Sequence, residues 1–218
     1  FSSRRRHTRL LTVTGVQTCA LPICIGGAVI WPEIPYKHAR VVGLGHKARQ
    51  GKDTAATMLA KRYPGRVHRV AFADALYAYC RLMHGMGAKD GPLLQVVGVN
   101  FRAEDPDTWI RIAAWRIADL DADAREPFLV VIPDVRFPNE LAFLRRCHGL
   151  AIKVTRVGAD GCPHVDPSRP AGHVSETALD GATWDADLVN VDGAPDVLER
   201  DVHRAVARKF SGALSLSY

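Results

Sequence analysis

Apolar residues along this chain follow two alternating rhythms. Continuous runs at Arg40-Val41-Val42-Gly43-Leu44, Phe128-Leu129-Val130-Val131-Ile132 and Leu150 to Thr155 read as strands buried on both faces. Val67 to Phe72 and Leu188-Val189-Asn190-Val191 are shorter candidates of the same kind. Between them the apolar positions take helical spacing. Lys52 to Arg62 predicts one helix, ended by Tyr63-Pro64-Gly65, and Asp74 to Met83 a second, with Asp74 as its N-cap. A loop over residues 84–91 leads to a short helix at Pro92 to Val97, and Gly98 and Arg102 then fall in a loop. In Pro106 to Asp121, Trp109, Ile112, Ala113, Ile117 and Leu120 form one face, and Asp105 or Pro106 marks the start. Pro138 to Cys147 is the next helix, and Leu198, Val202, Val206 and Phe210 give the closing helix one stripe. Strands alternating with helices predict an α/β fold, a doubly wound parallel sheet with helices on both faces.

Two segments stand outside this rhythm. The stretch from Val157 to Ser175 is polar and rich in Gly, Pro and His, and a connection this long in a compact domain is usually functional or mobile. Residues 1–23 show neither period. Val13 to Ile23 resembles a translated short-read sequencing adapter, and Ser2 to Arg9 a segment found beside it in contaminated assemblies. Thr12, Thr14, Gln17 and Thr18 interrupt the apolar stretch that a signal peptide needs. The segment is therefore expected to be artefactual and disordered, with the chain truncated near Cys24 and residues 24–218 forming one domain.

Setting that segment aside changes the charge argument. The formal charge is +6, but four arginines and no acids lie in residues 1–23, which leaves +2 on the remainder. The basic balance thus gives no support to a nucleic-acid partner. No apolar stretch is long enough to span a bilayer, so no membrane partner is expected either. Cys24, Cys80, Cys147 and Cys162 show no paired ligand spacing and read as reduced packing thiols of a cytoplasmic protein. Cys162, His164 and His173 lack a second close pair, so zinc is not expected there.

The sharpest chemical signal is Gly51-Lys52-Asp53-Thr54, placed between a strand and a helix. That order builds an anion nest. Backbone N–H groups of Gly45, His46, Lys47, Ala48, Arg49, Gln50 and Gly51 turn inward, the helix N-terminus faces the same anion, and Lys52 reaches the terminal phosphates. Thr54 or Asp53 would help hold Mg²⁺. The pattern departs from G-x-x-x-x-G-K-[ST] at two places: His46 stands at its first glycine and Asp53 at its hydroxyl position. The competing reading is a solvated lysine and a favourable acid in an ordinary first helical turn.

A second run, Val131-Ile132-Pro133-Asp134-Val135-Arg136-Phe137-Pro138-Asn139-Glu140, resembles a segment of phage-type deoxynucleoside monophosphate kinases. In the same order, Gly51-Lys52-Asp53-Thr54, Phe72-Ala73-Asp74-Ala75-Leu76, Leu93-Leu94-Gln95 with Gly98, Arg102 and Asp107-Thr108-Trp109, and His173-Val174-Ser175-Glu176 resemble further segments of that family. The likeness spans roughly Val41 to His203. It implies a P-loop NTPase-like sheet, a helical acceptor arm at about 72–109 and a lid loop at about 157–176. It implies transfer of the ATP γ-phosphoryl group to a (deoxy)nucleoside monophosphate, with ATP and Mg²⁺ as donor and cofactor.

Within that frame Asp134, at the carboxyl edge of a buried strand, suits a metal–water contact, with capping of the next helix as its competing role. Arg136, two residues on, would clamp the acceptor phosphate, and Arg102 is a second candidate for it. Asp74 and Gln95 would contact sugar or base, where capping or packing explains them equally well. Arg156 and Arg169 would act as lid arginines on the transferring phosphate. The alternatives are a kinase of another small acceptor, such as a coenzyme precursor, or a nucleotide-binding module without turnover. Base choice, ribose selectivity and oligomeric state, a homodimer among the options, stay open, as does phage or bacterial origin.

Overall fold

The computed structural model describes residues 31–164 and 174–212. The adapter-like segment 1–23, Cys24, Arg169, His173 and the centre of the expected lid lie outside the described residues.

Five strands form one parallel sheet: β1 (Ala39–Gly45), β2 (Val67–Arg69), β3 (Phe128–Val135), β4 (Leu150–Val157) and β5 (Ala186–Val191), in the order β2-β3-β1-β4-β5. Helices α1 (Lys52–Arg62), α2 (Ala73–His84), α3 (Gly91–Glu104), α4 (Thr108–Asp123), α5 (Pro138–Arg146), the single turn α6 (Val174–Thr177) and α7 (Pro195–Lys209) connect them. This is the expected doubly wound α/β fold.

The central strands are apolar throughout because both faces are covered. Val41, Val130 and Ile132 point into one core with Ile117 of α4, Leu141 and Leu144 of α5, and Leu76 of α2. The neighbouring positions Val42, Leu129 and Val131 point into the other, with Leu59 of α1 and Leu198, Val202 and Val206 of α7. The alternation along each strand sorts its side chains to the two faces. β1 and β3 pair from Ala39↔Phe128 to Gly43↔Ile132, so their carboxyl ends open side by side. The chain moves outward from β1 to β2, returns through β3, and crosses to β4 on the far side of β1. Ligands in such sheets collect at the carboxyl edge near this reversal.

Three expectations need correction. β2 leaves the ladder after Arg69, because the N–H groups of Ala71 and Phe72 go to the carboxylates of Asp74 and Asp134. Asp74 is not the N-cap of α2. The helix starts at Ala73, and Asp134 takes the N–H groups of Phe72 and Ala73 at 3.0 and 2.9 Å. Finally, α3 runs for 14 residues, through Gly98 and Arg102, where a short helix and a loop were expected. Gly98 is kept in the helix because it is buried under Leu76 of α2, a packing gain that outweighs its roughly 1 kcal/mol helix penalty.

Candidate functional site

The loop between β1 and α1 wraps the carboxyl end of β1. His46 adopts φ +83, the left-handed backbone that glycine adopts freely, which explains why the general pattern places glycine there. Its N–H donates to the carbonyl of Val135 at 3.2 Å, and its ring lies 3.1 Å from Asp180. Burial draws the His46 pKa down while Asp180 opposes that shift. Gly51, at φ +100, leads into α1, and a Cβ there would collide with Asn190. The close approach is used: Asn190 donates to the carbonyl of Gln50 at 3.2 Å. Gln50, itself buried, accepts from the N–H of Arg156 at 2.5 Å and donates to the carbonyl of His164 at 3.3 Å.

Lys52 is only 6 % exposed and donates to the carbonyl of Lys47. A solvated first-turn lysine is thereby excluded. Burial, reinforced by the nearby Arg136 charge, lowers its pKa to about 8. A phosphate anion beside it would reverse that shift. Asp53 and Thr54 are exposed, with Asp53 3.3 Å from Arg69.

A cavity of about 560 Å³ opens over this loop. Arg49, Gln50, Gly51, Lys52, Asp53 and Thr54 line it together with Asp134, Arg136 and Arg156. Gly45, His46, Lys47 and Ala48 do not line it. They turn to α6 and the segment after it instead: Ala48 N–H donates to Glu176 of α6 at 2.8 Å, Lys47 lies 3.6 Å from Asp180, and a Cβ on Gly45 would run into the Trp184 ring. That segment is fixed by Leu179, 4 % exposed in the core, whose burial contributes about 2 kcal/mol.

Asp134 and Arg136 line a second, larger cavity of about 900 Å³ as well. Its walls are Phe72, Asp74, Leu76 and Tyr77 of the α2 region, Leu94, Gln95 and Arg102 of α3, and Phe137. Asp74, Gln95, Arg102 and Arg136 thus share one cleft. Asp74 is engaged by Arg116 at 2.8 Å, and Arg69, whose other partner is Asp53, approaches it to 3.8 Å. Arg102 lies 4.5 Å over the Phe137 ring and 4.0 Å from Glu140. Glu140 is 3 % exposed and accepts from the N–H groups of Arg136 and Phe137 at 2.6 and 3.0 Å. Burial, and then the charge of Asp134, push it up to about 8. Burial likewise raises Asp134 above the usual carboxylate range against its two N–H donors.

Arg156 sits on β4, at the rim of the smaller cavity. Its guanidinium holds Asp192 through bonds of 2.6 and 3.1 Å, and that partner raises its pKa further. After it the chain turns back, with Val157 bridging Pro163.

Sequence reasoning missed Arg69, Asn190, Asp192 and the buttressing role of Glu176. The signal available for the first three was position alone, at or just past the carboxyl ends of β2 and β5, where this architecture gathers its ligands. Among the described residues no group of three or more His, Cys, Asp or Glu forms a cage for a metal ion. Also among them, no helix is long and apolar enough to cross a membrane.

No protein-family model and no curated protein matches the chain. Among solved structures it is similar to an APS kinase from Mycobacterium tuberculosis, 13% identical with a TM-score of 0.42, covering 78% of this chain and 97% of that one. It is similar also to a tunicamycin resistance protein from Deinococcus radiodurans, 14% identical with a TM-score of 0.45, covering 78% of this chain and 95% of that one.

Proposed function

We propose that the protein transfers the γ-phosphoryl group of ATP to a nucleoside monophosphate, the deoxy form being the acceptor that the sequence resemblance implies. The observation that carries this reading is the junction of two cavities. One is lined by a lysine-bearing anion nest, the other by Arg102 and an apolar wall, and Asp134 and Arg136 belong to both.

A triphosphate in the smaller cavity meets the N–H groups of Arg49 to Lys52, the N-terminus of α1 and the Lys52 ammonium. Binding there restores the charge on Lys52 that burial has weakened. An acceptor phosphate in the larger cavity meets Arg136 and Arg102. Both guanidiniums have planar donor geometry suited to phosphate oxygens. The base and sugar then face Leu76, Tyr77, Leu94 and Gln95. The acceptor oxygen attacks the γ-phosphorus, the bond from that phosphorus to the β,γ-bridging oxygen breaks, and ADP leaves. The protein's part is to align the two and to surround the transferring group with positive charge.

The oxygen donors of Asp53, Thr54 and Asp134 share the smaller cavity and fit a hard cation such as Mg²⁺. Each Asp134 oxygen accepts one N–H and retains capacity for a metal-bound water. Such an ion would neutralise charge on the β- and γ-phosphates. The test is ADP formation, read by a coupled assay, with a panel of nucleoside monophosphates and with small non-nucleotide alcohols. Acceptor-dependent turnover restricted to monophosphates is expected. Turnover only with another acceptor, or none, rejects the reading.

A further inference from the structure

Glu176 joins the two halves of this site. One carboxylate oxygen accepts from the Ala48 N–H of the phosphate loop at 2.8 Å. The other accepts from the Arg136 guanidinium at 2.6 Å, and the carbonyl of the adjacent Ser175 lies 3.5 Å from the same nitrogen. The Glu176 side chain is 13% exposed and that of Arg136 20%, so the pair is shielded from solvent. Charge-assisted bonds of this length in such surroundings hold geometry firmly.

Two features separate a brace from a plug. Glu176 lines neither cavity, so its carboxylate lies behind the space a phosphate would fill. Its segment is also pinned to the body. Leu179 is in the core, Asp180 holds His46 and Lys47, and Trp184 backs Gly45. An anion that must leave before substrate binds would sit in the cavity on a segment free to swing.

We infer that Glu176 is a positioning residue, which sets the separation and orientation of the phosphate loop relative to Arg136 through one carboxylate. This rests on the functional reading above. The chemical need is plain. The γ-phosphate is held from the loop side and the acceptor from the Arg136 side, and in-line transfer depends on the distance between them. An error of about 1 Å in such an alignment costs on the order of 10²-fold in rate.

The test uses the full chain and two variants. Glu176→Gln retains an oxygen for Ala48 but turns an N–H₂ toward Arg136. Glu176→Ala removes both bonds. Melting temperature confirms that each is folded at the assay temperature. Glu176→Gln is expected to raise the KM for the monophosphate about tenfold with the KM for ATP little changed. Glu176→Ala is expected to lower kcat as well, by about 10- to 100-fold. Calorimetric titration with ATP and Mg²⁺ should show weaker ATP binding to Glu176→Ala than to wild type. Unchanged kinetic constants in folded variants overturn the inference. Tighter ATP binding also overturns it, because it would mark Glu176 as a competing anion. If the wild type binds ATP but phosphorylates no monophosphate, the kinase reading fails. The ATP titration then still decides the brace: weaker binding to Glu176→Ala supports it, and equal or tighter binding refutes it.

Discussion

The two cavities are built in contrasting ways. The phosphate loop is held from several directions by polar groups distant in sequence. Asn190 and Arg156 fix Gln50, Glu176 fixes Ala48, Asp180 fixes His46, and Val135 takes the His46 N–H. The proposed acceptor arm is a helical hairpin, packed inward on Leu76, Leu94 and Val97, with Leu82, Met83, Val96 and Val99 left 54–83% exposed. The carbonyls of Lys47, Ala48 and Gln50 accept from the side chains of Lys52, Gln50 and Asn190, contacts that suit the fixed array of N–H groups the proposed anion site requires. On the proposed reading the arm encloses a base and sugar, a task to which apolar packing between helices is suited. On that reading chemistry is concentrated on the side braced by polar contacts, and selectivity on a side whose apolar wall also carries Asp74, Gln95 and Arg102.

The largest expected effect comes from the braced side. Lys52→Ala should lower phosphoryl transfer by on the order of 10²-fold or more. Circular dichroism should show the fold retained, since alanine suits the first turn of α1. Turnover close to wild type would break the contrast at its strongest point.

Arg136 belongs to both regions, and its variant shows which one it serves. Arg136→Lys keeps the charge but cannot make two parallel hydrogen bonds to a phosphate. The monophosphate KM should rise by the equivalent of roughly 1–3 kcal/mol, with the ATP KM nearly unchanged. A rise in the ATP KM alone would assign Arg136 to the donor side.

Glu140 supplies a pH test of the seam between the regions. Its folded pKa of about 8 exceeds its ordinary 4.5, so the folded protein binds this proton more tightly than the unfolded chain. The stability it contributes is full below about pH 4.5 and is lost as the pH rises through 8. Glu140→Gln keeps an oxygen for the Arg136 and Phe137 N–H groups and carries no titrating proton. Urea unfolding from pH 5 to 8 should show wild type losing at least about 1 kcal/mol relative to the variant. Parallel pH profiles would show that Glu140 is charged in its site.

The smallest effect belongs to one of the loop's several supports. Asn190→Ala removes the bond to the Gln50 carbonyl and should weaken ATP binding by about 0.5–1.5 kcal/mol in calorimetry. A hundredfold loss would mean that the loop depends on this one contact.

How much of this was legible in the sequence follows the same division. The central strands were plain because burial on both faces makes them continuously apolar, and Gly51-Lys52 marked the loop that lines the smaller cavity. The reach of α3 was hidden because Gly98 argues against a helix locally, and only Leu76, across the hairpin, reverses that. The site of Asp134 was legible at the carboxyl end of β3, but its capping of α2, 62 residues away from Phe72, was not. Nor could spacing reveal that His46, Lys47 and Ala48 turn away from the cavity. Their partners, Asp180 and Glu176, lie more than 120 residues further on.

The central claim is that donor and acceptor occupy adjoining cavities that meet at Asp134 and Arg136. Its most direct test is calorimetric titration with a bisubstrate analogue, adenosine joined through a five-phosphate chain to a second nucleoside. The analogue should bind at least about 100-fold more tightly than ATP or any monophosphate alone, because the second site is engaged without a second loss of translational freedom. Both Lys52→Ala and Arg136→Lys should weaken it. Binding no tighter than that of ATP, or insensitive to Arg136→Lys, would contradict the two-cavity account.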